Sequence, residues 1–117
     1  MAAPNIVNVS TITGKTAVLA VTTSATAIVT NSAASGKVFK VNALYLANVD
    51  GTSAADITVD LFRSSTAYRI ANTISVPADS TLDVISKAIY LEEGDALRCT
   101  ASANSDLEAV CSYEEIS

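Results

Sequence analysis

Chemistry in this chain would have to come from carboxylates, two thiols or a few aromatic rings, because the sequence contains no histidine, the commonest general base and metal ligand. Glu92, Glu93 and Asp95 offer oxygens of the kind that bind Ca²⁺, but calcium loops space several ligands at alternating positions, and Glu92-Glu93-Gly94-Asp95 is one short acidic turn. A solvated turn is the plainer reading. Asp56 and Asp60 lie four residues apart on one strand face. Their carboxylates are then about 13 Å apart, beyond the roughly 9.5 Å reach of paired-carboxylate catalysis, so both read as solubilising residues. A cysteine nucleophile needs an adjacent base, and neither Cys99 nor Cys111 has an evident one. Tyr68, flanked by Arg63 and Arg69 on a polar stretch, is the one suggestive ring, although a sugar platform needs several exposed aromatics together. The residues therefore predict no catalytic group, no metal site and no cofactor.

The composition narrows the class further. At 117 residues the chain suits a short N-terminal arm, residues 1–5, and a single β-sandwich domain over residues 6–117. Hydrophobic residues make up 50% but aromatics only 5%, so the core is thin. Charged residues are 16%, against roughly 25% in an average soluble domain. So few charges leave a lone monomer poorly covered and predict a homo-oligomer, with a trimer as the expected form. The net charge of -5, with scattered basic residues, argues against nucleic acid as a partner. No run of 18 apolar residues and no basic-led apolar N-terminus is present, so neither a membrane span nor a signal peptide is expected.

The elements that must position these residues are strands throughout, because no apolar pattern of 3.6-residue period reaches helical length. Ile6 to Thr13 and Thr16 to Thr22 read as two short strands broken at Gly14-Lys15, and Ala25 to Thr30 as a third. Asn31 to Gly36 is a loop of turn formers. Lys37 to Asp50 is the longest strand, apolar on both faces and therefore central. Asp50-Gly51 predicts a β-hairpin whose return strand carries Ile57, Val59 and Leu61. Arg63 to Arg69 is a polar turn, Pro77-Ala78-Asp79-Ser80 fits a type I turn, and further strands begin near Leu82 and Ile89. Eight or nine short strands at near-regular spacing predict an all-β fold, an antiparallel two-sheet β-sandwich, with a jelly roll among the arrangements that fit.

A three-residue loop at Asn104 to Asp106 would close a hairpin in which Ala103 faces Leu107, Ala101 faces Ala109 and Cys99 faces Cys111. One face then carries Leu97, Cys99, Ala101, Ala103, Leu107, Ala109, Cys111 and Tyr113. The other is polar, with Val110 as the exception. Directly opposed cysteines can be bridged, whereas a protein made in the cytoplasm keeps buried thiols reduced. Both states remain open at this point.

The run Val38-Phe39-Lys40-Val41, Asp56 to Leu61, Val76-Pro77-Ala78, Leu91 to Leu97, Thr100-Ala101-Ser102 and the ending Ser112 to Ile116 resembles small virion structural proteins of tailed bacteriophages, particularly those of marine cyanobacteria. The resemblance covers Lys37 to the C-terminus and implies a particle component without an active site. Acidic balance favours the outer capsid surface, away from packaged DNA, and hence a capsid decoration or cement protein that bridges subunits of the major capsid protein. A tail, baseplate or fibre component and a small carbohydrate-binding module are the alternatives. The expected contact residues are Ala3, Pro4 and Asn5 on the arm, and Arg63, Tyr68 and Arg69 on one tip.

Overall fold

A two-residue turn at Ser64-Ser65 sets the topology. Both residues have positive φ, 52° and 61°, the backbone twist that joins two adjacent antiparallel strands without splaying them. The turn links β4 (Ala55–Arg63) to β5 (Thr66–Val76), pairing Arg63 with Thr66. From there the chain pairs outward in nested fashion. The central strand β3 (Val38–Asn48) takes β6 (Thr81–Asp83) and β7 (Ile89–Leu91) on one side, β2 (Thr26–Thr30) takes β8 (Ala96–Ala101), and β1 (Ile12–Ala20) takes β9 (Leu107–Ile116), all antiparallel. This long double strand folds over on itself, so that β3 also pairs with β9 and β4 with β8. The result, in a computed structural model that describes residues 4–117, is two antiparallel sheets: β1-β9-β3-β6 with β7 also on β3, and β2-β8-β4-β5. Nested pairing of this kind is a jelly roll. The all-β two-sheet sandwich expected from the sequence is the fold.

Inward-facing residues of both sheets fill the core. Val41, Leu44, Leu46, Ala109 and Cys111 come from one sheet, and Ile57, Val59, Leu97, Cys99 and Ala101 from the other. β3 reads as apolar on both sides partly because its register shifts between Val41 and Ala43. The extra residue of such a bulge moves the inward parity from Phe39 and Val41 to Leu44 and Leu46 and turns Tyr45 to the outside.

Four expected local features differ, one of them the Pro77-Ala78-Asp79-Ser80 turn, in which Asp79 takes φ 57° and the type is therefore not I. Neither Asp50-Gly51 nor Asn104 to Asp106 closes a hairpin, since β3 and β4 lie in different sheets, as do β8 and β9. Side chains explain the Asp50-Gly51 case. Asn48 Nδ2 donates to Ser53 O and Val76 O, its Oδ1 accepts from Asp50 N, and Asp50 Oδ1 accepts from Thr52 N and Oγ1. These bonds lead the chain out of one sheet and into the other. At the second connection Asn104 Oδ1 accepts from Thr23 N and the carbonyl of Asp106 from Val49 N. The inward parity expected around it, Leu97 to Cys111, is nevertheless the observed one, because a strand presents the same face to the core whether the next strand lies beside it or opposite it. At the N-terminus β1 runs unbroken through Gly14-Lys15, while Ile6 to Ser10 is turn and bend, not strand.

Candidate interaction site

The acidic turn is a closed structural unit. Gly94 takes φ +90°, which a side-chain-bearing residue resists, and this brings Asp95 under the end of β4. There Arg63 binds Asp95 in bidentate fashion, Nε to Oδ1 at 2.7 Å and Nη2 to Oδ2 at 2.6 Å, and reaches Glu92 at 2.8 Å. Burial pushes the Asp95 carboxyl up, but the Arg63 hydrogen bonds, the Glu92 backbone N–H and the Arg63 charge outweigh it and hold Asp95 below the usual carboxylate range. Glu93 accepts from Gly36 N, and Asn31, fully buried, donates through Nδ2 to Lys37 O and Leu91 O. The solvated turn expected from the sequence is corrected: its carboxylates are engaged by neighbouring groups of the same chain. Among the described residues no cluster of three or more His, Cys, Asp or Glu side chains suits a metal ion.

Asp60 is corrected too. Instead of solubilising the surface it is 1% exposed, on the outer face of its sheet directly opposite Arg98. Arg98 Nε donates to Asp60 Oδ1 at 2.9 Å and Nη2 to Oδ2 at 3.3 Å, and the guanidinium lies 4.0 Å from the centre of the Phe62 ring. A fork on a carboxylate, stacked on a ring, covers the middle of this face with its own side chains.

The outer face of the other sheet is different. Val18, Val110 and Tyr45 are consecutive cross-strand partners on β1, β9 and β3, forming one row that is 75%, 38% and 44% exposed. Small residues, Thr16, Ser112 and Ala43, form the next row. A shallow depression along β1 and β9 is lined by Val18, Leu19, Ala20, Glu108, Ala109 and Val110. The row ends at β1, which among the described residues pairs with β9 alone and so leaves a sheet edge open. Exposed apolar surface continuous with an open edge is where another chain can bind.

The cysteines face each other's sheet, not each other in one ladder. Cys99 pairs with Val59 and Thr26, and Cys111 with Leu44 and Ala17. Both are free thiols with no exposure. Burial raises Cys99, with smaller contributions from Cys111 and Asp60, to about 12, and burial raises Cys111 to about 11. Thiols held so far above neutral pH are protonated core residues, not nucleophiles.

The contact residues expected from the sequence do not come together. Ala3 lies outside the described residues. Asn5 closes a turn, its Oδ1 accepting from Val7 N and its carbonyl from Asn8 N, with Pro4 half-buried before it. Arg63 is held by Asp95. Tyr68 and Arg69 sit inside β5, opposite Leu61 and Asp60, and so on opposite faces of the sheet. The tip itself is Ser64-Ser65. The row that sequence reasoning missed had one visible signal, Val110 at a polar parity; pairing it with Val18 and Tyr45 requires the topology.

No family model and no curated protein matches the sequence. Among solved structures, the fold is similar to that of a chain from Bacillus endospore appendages, which form a novel family of disulfide-linked pili, with a TM-score of 0.54 and 17% identity over 92% of this chain and 88% of that one. The likeness is one of fold.

Proposed function

We propose that this chain is a structural subunit of a larger protein assembly, a virion decoration or cement protein that binds across neighbouring subunits of the major capsid protein on the outer capsid surface and carries out no reaction. One observation carries the reading: the charged groups that chemistry would use are bound to one another, while the Val18-Val110-Tyr45 row and the β1 edge are left exposed. The resemblance to small phage virion proteins supplies the particle, and the acidic balance favours its outside. The similar chain, from endospore appendages that form disulfide-linked pili, supports a structural subunit, although the two cysteines here are too deeply buried to link one copy to another.

The test is made on particles. A ligand that binds only the assembled shell stabilises it by mass action, so particles lacking this protein are expected to open at lower temperature than complete ones. Immunogold label is expected on the capsid. Equal heat stability together with label on the tail would replace the cement reading with a tail or baseplate one.

A further inference from the structure

The open edges of the two sheets are unequal. β6 and β7 are three residues each, and β2 is five residues with a register shift between Ala27 and Val29. β5 is long but its pairing shifts twice, and Thr73 within it takes φ 50°. Short strands and bulges are the usual devices that keep an edge from pairing with another chain. β1 has neither: it pairs with β9 without a break from Ile12 to Ala20. Its one charged residue is Lys15, bound at 2.8 Å to Glu115 of the neighbouring strand.

The direction of its free backbone groups follows from the ladder. Thr11 and Ser117 exchange both hydrogen bonds, and Val21 N donates to Leu107 O. In an antiparallel pair such residues alternate, so the odd-numbered residues of β1 bond to β9. Ile12, Gly14, Thr16, Val18 and Ala20 therefore point their N–H and C=O groups out of the open edge. Thr16 is the midpoint of the strand.

We infer that β1 pairs antiparallel with β1 of a second copy about a two-fold axis at Thr16, joining the two β1-β9-β3 sheets into one. In that register Thr16 faces Thr16, Gly14 faces Val18 and Ile12 faces Ala20, each an outward-directed pair, giving about ten backbone hydrogen bonds, two for each of five facing residues. Lys15 meets Ala17, so no like charges oppose each other. A dyad between two residues would set outward-bonded residues against inward-bonded ones and form no ladder, whereas a dyad at Lys15 or Ala17 would leave four facing pairs in place of five, and the one at Lys15 would also oppose the two lysines. The axis stands normal to the joined sheet, which puts both Val18-Val110-Tyr45 rows on one side as a shared apolar surface. The contact is isologous and closes at two copies, in place of the trimer expected from composition. It is independent of whether the assembly is a virion.

Sedimentation velocity of the full chain over a range of concentrations is expected to show a monomer-dimer equilibrium. Thr16→Pro removes an outward N–H and none of the bonds to β9, which an edge strand tolerates. With both dyad bonds lost it is expected to raise the dimer Kd about 10- to 100-fold with unchanged far-UV circular dichroism. A second readout does not depend on proline. Thr16→Cys is expected to form a disulfide-linked dimer under mild oxidation, since a hydrogen-bonded pair holds its Cα atoms about 5.5 Å apart, within disulfide reach. Val18→Cys faces Gly14 of the second copy and is expected to stay reduced. A monomer at every concentration, or Val18→Cys crosslinking as fast as Thr16→Cys, overturns the pairing.

Discussion

The outer faces of the two sheets are built from the same alternating strands and end differently. On β4 and β8 the outward residues satisfy one another: Asp60 is buried under Arg98, and Arg98 lies over Phe62. On β1, β9 and β3 the outward residues Val18, Val110 and Tyr45 stay exposed. Both sheets use outward positions against solvent expectation, one by burying charge and the other by exposing apolar groups. The difference sets a face that its own charged pair closes over β4 and β8 against a face that leaves an apolar row exposed across β1, β9 and β3.

The largest expected effect lies on the closed face. Arg98→Ala leaves the Asp60 carboxylate without its fork and uncovers Phe62, so the chain is expected to lose about 3 kcal/mol in urea unfolding, with self-association otherwise unaltered at concentrations where it stays folded. A cost below about 0.5 kcal/mol, the level of an ordinary surface change, would show that this face is not closed by the pair.

A smaller effect separates the two sides by pH and salt. Asp95 and Glu115 both titrate below their ordinary values, Asp95 because Arg63 and the Glu92 N–H outweigh its burial, Glu115 through hydrogen bonds from Lys15 and then Lys37. A lowered folded pKa gives stability that is present above the unfolded value, 3.8 for Asp95 and 4.5 for Glu115, and is lost as pH falls through the folded one. Unfolding followed from pH 6 down to about pH 2 is expected to show this acid loss. Asp95→Asn is expected to flatten it. High salt is expected to weaken the Glu115 part more than the Asp95 part, because Lys15 and Lys37 are 44% and 41% exposed whereas the Asp95 side chain is 2% exposed.

The smallest effect on folding lies on the exposed face. Val18→Ser is expected to change unfolding stability by less than about 0.5 kcal/mol, since the side chain is mostly in water already. Its effect should appear in association instead, measured by sedimentation. A stability loss comparable to that of Arg98→Ala would erase the distinction between the faces.

How much of this was legible in the sequence depended on distance along the chain. Period-2 alternation identified the strands, the all-β class and the inward parity from Leu97 to Cys111, because parity is a local property. Which strand neighbours which is not local. Asp50-Gly51 has the residues of a hairpin, and the Asn48 side chain, bonded to Ser53 and Val76, decides otherwise. Asp60 looked solvent-bound because its partner Arg98 is 38 residues away. Arg63 was separated in the sequence from Asp95 by 32 residues, so a contact residue on a tip was expected where an internal ion pair exists. Val110 was the visible anomaly, and it belongs to the exposed row.

The claim that the β1 side is completed by another chain is tested most directly by residue-resolved amide exchange along β1, in dilute and in concentrated protein. The amides of Thr13, Lys15, Ala17 and Leu19, bonded to β9, are expected to be protected under both conditions. Those of Ile12, Gly14, Thr16, Val18 and Ala20 are expected to exchange fast when dilute and slowly when concentrated, with Thr16 among the most protected. Fast exchange of this even-numbered set at every concentration would contradict the account.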